Sequence, residues 1–259
     1  MSSADAHPTH TAFDGLASTY DRYRPGYPEA IIDVLVRDLS TDATVVDVGC
    51  GTGISTRALA PRLGVAARVI GIDPGADMIE KAVAYCAGCA NVRFVQAPAE
   101  ATTLPDASAD LVLAAQAFHW FDHPKALAEF HRILRPGGRC ALLWNLRLPD
   151  GGFTDDYNRI VVSAEVRIDP SVLAGRSSLA EPLERSELFK DVRVHTAPSP
   201  QRFDEPGAIG RATSASYFPR EEPDRSERLA ALRQSFHRHA VDGLVTLRQE
   251  ARLTIATRR

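Results

Sequence analysis

The chain has 259 residues, long for one domain and short for two, so a single core carrying insertions is expected. Hydrophobic residues make up 44% and charged residues 24%, with a formal net charge of -3 and no block of like charge, which argues against a nucleic-acid partner or an acidic membrane surface. No apolar run approaches the ~20 residues that span a bilayer, and the polar start MSSADAHPTH lacks the apolar stretch of a secretory signal. Residues 1–12 therefore read as a disordered tail, and the protein as cytoplasmic.

Taken in chain order, the first element is a helix from about Pro28 to Leu39, with Ile31, Val34, Leu35 and Leu39 on one face and Pro28 suited to a first turn. Short apolar runs follow at 44–48, 68–72, 92–95, 110–114 and 140–144, the length of strands buried on both faces. Helical stretches lie between them, one starting near Ile54, one over 76–87 and one over 124–134 that Pro136-Gly137-Gly138 stops. Five strands alternating with helices imply a doubly wound parallel sheet. After Asn145 the pattern changes. A strand is expected at 191–196, a loop at Pro198, Pro200 and Pro206, a helix at 226–240, and an alternating last strand in EARLTIATR. Residues 146–190 and 203–222 read as insertions covering one end of the sheet.

Cys86 and Cys89 form a C-x-x-C pair, but no further ligands stand at zinc-site spacing, and the pair sits near a helix end rather than a helix start. Incidental thiols are the preferred reading, and no metal site is expected. Cys50 and Cys140 read as small core residues.

The strongest signal is VVDVGCGTG at 45–53: a buried strand, a glycine-rich turn, then a helix. Gly49, Gly51 and Gly53 let the backbone bend sharply and approach a ligand closely. Asp73 ends the next strand, 20 residues after Gly53. Its carboxylate either accepts from both hydroxyls of a ribose or caps the helix that follows; the glycine loop in front favours the ribose. A dinucleotide fingerprint would need glycine where Ile54 stands. Asp47, between apolar neighbours, would repel a pyrophosphate and suits a cationic ligand group.

In order and spacing, VVDVGCGTG, IGIDPGADMI, FVQAPAEATTLP, DLVLAAQAFHWFD and LRPGGRCALLWN resemble the class I S-adenosylmethionine-dependent methyltransferases of the type-11 branch. QAFHWFD and the upstream YDRYRPGYP are similar to the trans-aconitate-methyltransferase-like subgroup. The resemblance covers residues 13–145 well and the remainder weakly. It implies an α/β fold, a doubly wound, mostly parallel seven-stranded sheet of Rossmann-like type with an antiparallel last strand and helical lid insertions. One domain would span 13–259, with an N-terminal lid at 13–28. It also implies S-adenosyl-L-methionine as cofactor, S-adenosyl-L-homocysteine as product, and a small-molecule acceptor. Gly49, Cys50 and Gly51 would line the methionine end, and Asp73 would hold the ribose. Pro74 and Met78 would lie against the adenine, and Ala99 and Glu100 at its edge. Ala99 stands where many relatives carry Asp, which leaves only a backbone contact there. Gln116 and Ala117 would pass below the sulfonium. Tyr20 and Arg24 would close on the methionine carboxylate or on the acceptor.

A methyl group on a cationic sulfur is already activated, so positioning supplies much of the catalysis and a base is needed only for a protonated nucleophile. His119 is the candidate base, with Tyr20 and His123 behind it; the other reading of His119 is a hydrogen-bonding residue that holds its loop. Trp120 and Phe121 are expected to form an apolar wall, where Trp120 either faces the acceptor or serves as core or lid packing, and Trp144 ends the fifth strand where the acceptor could also approach. Arg147, Arg167, Arg176 and Arg211 are possible carboxylate-binding groups for which a solvated surface is the preferred reading. Two competing functions remain open: a protein that binds adenosylmethionine without transferring methyl, and a nicotinamide oxidoreductase, which Ile54 disfavours.

Overall fold

In the computed structural model, which describes residues 26–162, 180–215 and 218–259, the apolar runs pair into a seven-stranded sheet of order β3–β2–β1–β4–β5–β9–β6. β1 (Thr44–Val48), β2 (Arg68–Asp73), β3 (Val92–Gln96), β4 (Ala109–Ala115) and β5 (Leu134–Arg147) run parallel. β9 (Gln249–Arg258) lies antiparallel between β5 and β6 (Phe189–Pro198). This is the expected doubly wound sheet with its antiparallel last strand. The strand order reverses between β1 and β4, which opens a crevice at the carboxyl ends of those strands. The tail 1–12, Tyr20, Arg24, residues 13–25 of the lid expected at 13–28, Arg167 and Arg176 lie outside the described residues.

Each face of the sheet is covered. Ile31, Ile32 and Leu35 of α1 (Glu29–Val36) and Leu59 of α2 (Ile54–Leu59) pack with Val45, Leu111, Leu143 and Leu253 on one face. On the other, Ala126, Leu127, Phe130 and Ile133 of α4 (His123–Ile133) pack with Val46, Val112, Leu142 and Trp144. α3 (Ala76–Tyr85) packs against β2 and β3, with Met78 and Ala82 buried. β1 is buried along its whole length, Asp47 included. β3 is half-exposed because it forms a sheet edge; five apolar-looking runs alone do not say which one is the edge.

Several boundaries differ from expectation for local reasons. α1 stops at Val36, leaving Leu39 outside, and α3 stops at Tyr85, so Cys86 is its C-cap. α4 ends at Ile133 and β5 already begins at Leu134. Pro136-Gly137-Gly138 therefore does not stop the helix. It bulges out of β5, where the pairing jumps from Ala109–Leu134 to Leu111–Arg139. β5 runs on to Arg147, so residues 146 and 147 belong to the sheet and not to an insertion.

The described residues of the two expected insertions include helices. α5 (Phe153–Val161), α7 (Glu205–Thr213), α8 (Asp224–His239) and a ribbon of β7 (Gln201–Phe203) with β8 (Val245–Leu247) share a separate apolar core. Phe153, Tyr157 and Val161 recur every fourth residue and bury one side of α5. They meet Ala208 and Ala212 of α7, Leu232 and Phe236 of α8, and Val245 and Leu247. Pro206, expected in a loop, stands in the first turn of α7, where Asp204 caps by accepting from the Gly207 N–H at 2.8 Å. A short α6 (Glu181–Glu184) adds Leu183 to the main core. α5 follows the carboxyl end of β5, β7 follows that of β6, and β8 precedes β9. All three junctions lie at the sheet end that carries the crevice, so this helical cap is rooted there.

Asp156 joins α5 to α8. It accepts from Ser235 Oγ at 2.8 Å and Arg238 Nη1 at 3.2 Å, meets His239 Nε2 at 3.1 Å, and pairs with Arg159. The Ser235 hydrogen bond, outweighing burial, and His239 and Arg159 beside it hold its carboxyl below the usual range. Asp156→Ala strands the buried Ser235 hydroxyl and is expected to destabilise the cap by about 2 kcal/mol. Hydrogen exchange should then quicken in α5 and α8 while β1 and β4 keep their protection; unchanged exchange in the helices would show that apolar packing alone holds the cap.

Candidate functional site

The glycine loop leaves β1 at Val48 and enters α2 at Ile54. Gly49, Gly51 and Gly53 all have positive φ, at 70°, 53° and 88°. At Gly49 a Cβ would fall 2.5 Å from Ala117 Cβ, so only glycine fits between the loop and the end of β4. At Gly51 a Cβ would meet nothing within 4 Å, and there the loop faces open space. Gly53 packs on α3: a Cβ would come within 3.2 Å of Cys86 Sγ and 3.3 Å of Ala82 Cβ. Cys86 thus lies beneath the loop as packing, with burial pushing its thiol up to about 11.

Four of the loop's N–H groups are already bonded within the protein. Gly49 and Cys50 donate to Ile72 O, at 2.8 and 2.9 Å, and Gly53 to Cys50 O at 2.9 Å. Gly51 donates to Asp73 Oδ2 at 3.0 Å. Cys50 is buried, its thiol near Gly71, so only its backbone can line the loop. A pyrophosphate cradle needs such N–H groups free.

Beneath the loop, Asp47 is fully buried. Its Oδ2 accepts from Ser55 Oγ at 2.7 Å and Thr56 Oγ1 at 2.6 Å, so the carboxylate already serves the start of α2. Its Oδ1 is buried and has no hydrogen-bond partner among the described residues. Burial raises the Asp47 pKa to about 6, against the opposing hydroxyl hydrogen bonds. The place that a phosphate would take at a helix start is therefore filled by a carboxylate with one unmet oxygen, which fits an ammonium group. Ser55 and Thr56 were missed as site residues in the sequence, although two hydroxyls directly after the glycine loop are a readable signal.

Asp73 closes β2. Besides the Gly51 N–H, it accepts from Gly75 N at 2.9 Å. The helix-cap reading does not hold, because Gly75 is the N-cap of α3 and no side chain caps it. Asp73 instead fastens the glycine loop to the β2–α3 turn. Pro74 is half-buried and Met78 buried just beyond it.

The β3–β4 loop is pinned from below. Buried Glu129 accepts from Thr102 N at 2.7 Å and Thr102 Oγ1 at 2.6 Å, and pairs with Arg132 at 2.7 Å. Burial would raise the Glu129 carboxyl, but these hydrogen bonds outweigh it and hold the pKa below the ordinary value. Ala99 is buried in this loop. Glu100 Oε1, expected at a ligand edge, accepts from Asp122 N at 2.8 Å and ties the loop to the start of α4.

Beyond β4, Gln116 adopts φ 56°, a left-handed conformation costly for a side-chain-bearing residue. Its N–H donates to Leu143 O at 2.8 Å and its Nε2 to Asn145 O at 3.4 Å. A 3-10 turn over Phe118–Trp120 follows. The His119 ring lies 4.8 Å from Trp120 and 5.1 Å from Trp144, tilted against both. Trp144 is buried and backs His119 rather than standing open as a wall. His123 is exposed and stacks on Phe118 at 4.4 Å. The structure thus gathers Asp47, the loop glycines, Asp73, Gln116, Ala117 and His119 at the carboxyl ends of β1, β2 and β4. Arg147 and Arg211, expected on the surface, are instead buried in the cap region, at 5% and 6% exposure. Among the described residues no three His, Cys, Asp or Glu side chains group as a metal site, and no helix is long and apolar enough to cross a membrane.

Comparison with known proteins agrees with this arrangement. Residues 46–142 match the family model described as a methyltransferase domain. An uncharacterized methyltransferase of Mycobacterium tuberculosis is 35% identical over 150 residues, 58% of each chain. Malonyl-[acyl-carrier protein] O-methyltransferase of Hahella chejuensis is 39% identical over 140 residues, 51% of this chain and 48% of that one. These matches span under two thirds of the relatives' own length. A solved structure described as a type II methyltransferase from Anaeromyxobacter dehalogenans superposes with a TM-score of 0.63 at 26% identity, covering 92% of this chain and 98% of that one. Residues 46–142 thus match a methyltransferase domain, and the fold over most of the chain is that of the solved methyltransferase structure.

The pKa of Asp47 gives a pH signature. In the fold it is raised to about 6 from the ordinary carboxylate value of 3.8, so the protonated form is favoured and ionisation opposes folding. Stability from this group is fully present below the lower value and is lost as pH rises through the higher one, by up to about 3 kcal/mol. The stability of the native protein relative to Asp47→Asn should therefore fall between pH 4 and pH 7 in thermal unfolding. A pH-independent difference would place the titration elsewhere.

Proposed function

We propose that this protein transfers a methyl group from S-adenosyl-L-methionine to a small-molecule acceptor. The observation that carries the reading is the buried Asp47 carboxylate under a glycine loop with four of its N–H groups already bonded. That combination suits an aminoacyl end and disfavours a dinucleotide, and the match of residues 46–142 to a methyltransferase domain supports it. The open face of Gly51 and the unmet Asp47 Oδ1 are compatible with the cofactor's methionine end.

In this reading Asp47 Oδ1 offers a negative partner to the ammonium, and ionises more readily with that partner in place. Asp73 holds the ribose with the remaining lone pairs of its two oxygens, each already fixed by a backbone N–H, so the carboxylate is oriented before any ligand arrives. Pro74 and Met78 form the apolar bed for the adenine, with Ala99 at its edge. Glu100 is spoken for by Asp122, and we assign it to shaping the loop. The bound cofactor supplies a methyl group on a cationic sulfur, open to in-line displacement. Gln116 and Ala117 fix the floor beneath that end, and the strained Gln116 backbone is held by its bonds to β5. His119, braced by two indoles, takes a proton on a ring nitrogen when the acceptor arrives protonated. The cap and the two indoles exclude water.

Calorimetric titration should show micromolar binding of S-adenosyl-L-homocysteine and none of NAD. Asp73→Ala should weaken that binding by more than about tenfold, because it removes a charged partner of a diol and also frees the Gly51 N–H. NAD binding, or normal affinity in the Asp73 variant, would sink the assignment. His119→Ala should reduce turnover by about a hundredfold while leaving homocysteine-product affinity within twofold. Undiminished turnover would leave His119 as a loop-holding residue.

A further inference from the structure

Arg147 is the last residue of β5, and its partner across the antiparallel ladder is Gln249, the first residue of β9. Directly opposed residues present their side chains on one face, and Asn145, two residues back, shares it. Arg147 and Gln249 are 5% and 3% exposed. The Arg147 guanidinium carbon lies 5.4 Å from the centre of the Tyr157 ring on α5. Gln249 Oε1 and Asn145 Oδ1 are buried with no hydrogen-bond partner among the described residues. Ladder and cap therefore enclose a charged group and two unmet polar atoms together.

This cluster lies beside the expected reaction centre. Gln116, at the end of β4, bonds to Asn145 O. Arg147 is two strand residues farther out, about 6.5 Å past Asn145, at the last rung of the β5–β9 ladder. A guanidinium at such a junction is a poor choice for structure alone, since an apolar side chain of similar volume avoids the desolvation of a buried charge. Its planar fork of donors can serve an oxyanion alongside the contacts that hold it.

We propose that Arg147, with Gln249 opposite and Asn145 behind it, is the subsite for an oxyanion, a carboxylate or phosphate, on the methyl acceptor. Arg147 takes the anion through its fork, and the two amide oxygens take hydroxyl or amino donors next to it. The proposal rests on the methyl-transfer reading above and adds the acceptor's class to it.

The test is calorimetric titration of the S-adenosyl-L-homocysteine complex with succinate, benzoate and inorganic phosphate, and with succinamide and benzamide as neutral matches. At least one anion should bind about tenfold more tightly than the amides. The succinate, benzoate and phosphate arms tell a carboxylate from a phosphate subsite. Arg147→Met and Arg147→Lys should each lose about tenfold in anion affinity, with homocysteine-product affinity unchanged within about twofold. If Arg147→Met does not fold, Arg147→Lys carries the test, because it keeps the charge and loses only the fork. Anions that bind no better than amides, or anion binding indifferent to Arg147, with the cofactor product still bound, would overturn the subsite and leave the methyltransferase reading standing. Failure of the native protein to bind S-adenosyl-L-homocysteine at all would instead overturn that reading, and the subsite with it.

Discussion

The arrangement depends on one buried carboxylate. Asp47 sits mid-sheet at the end of a strand buried on both sides, in the least polar part of the molecule. Placing a carboxylate there is unfavourable unless its oxygens are met. Ser55 and Thr56 meet one of them by folding the chain back after a tight glycine turn. The turn is tight because Ala117 comes within 2.5 Å of where a Gly49 Cβ would be. The second oxygen is buried with no hydrogen-bond partner among the described residues, and in the proposed reading it meets the ammonium group of a ligand. A single unfavourable burial thus fixes the loop and the start of α2.

Around that point the site is a chain of dependencies. Asp73 holds Gly51, so a shift in β2 would reach the glycine loop directly. Glu129 and Arg132 hold Thr102 and Leu104, and so set the height of the β3–β4 loop against α4. Glu100 holds Asp122, which joins that loop to the one bearing His119. Each functional segment is braced by a carboxylate from a neighbouring segment. The site can therefore be oriented before ligand arrives, and little ordering entropy remains to oppose binding.

What the sequence revealed follows the same division. The sheet was legible because strands buried on both faces must be short, continuous and apolar, and the crossovers between them allow one hand. The glycine loop and Asp73 were legible because their chemistry is local, set by φ and by spacing along the chain. The cap was not. α7 contains Gly207, Gly210 and Pro206, residues that argue against a helix by propensity, and it is held by Asp204 capping and by packing on α5 and α8. The buried arginines were misjudged for a related reason. Nothing in the local sequence of Arg147 says that β5 runs on past Asn145, or that Tyr157 will come to lie on it.

That asymmetry has a physical origin in the topology. Parallel strands put all their carboxyl ends on one side, so the first half of the chain can assemble a cofactor-sized site from consecutive βα turns. β9 enters the sheet from that same side in the opposite direction, between β5 and β6. Its first residue must then face the last residue of β5, about a hundred positions earlier in the chain (147 against 249). The far end of the crevice is formed by such distant pairs and by a cap with its own apolar core. Substitutions there can change that end without disturbing Asp47, Asp73 or the glycine loop, since the two regions share strands but not a hydrophobic cluster. The glycine-loop end is therefore a property of the sheet, whereas the shape of the other end is a property of how the cap closes on β5 and β9; in the proposed reading these are the cofactor side and the acceptor side.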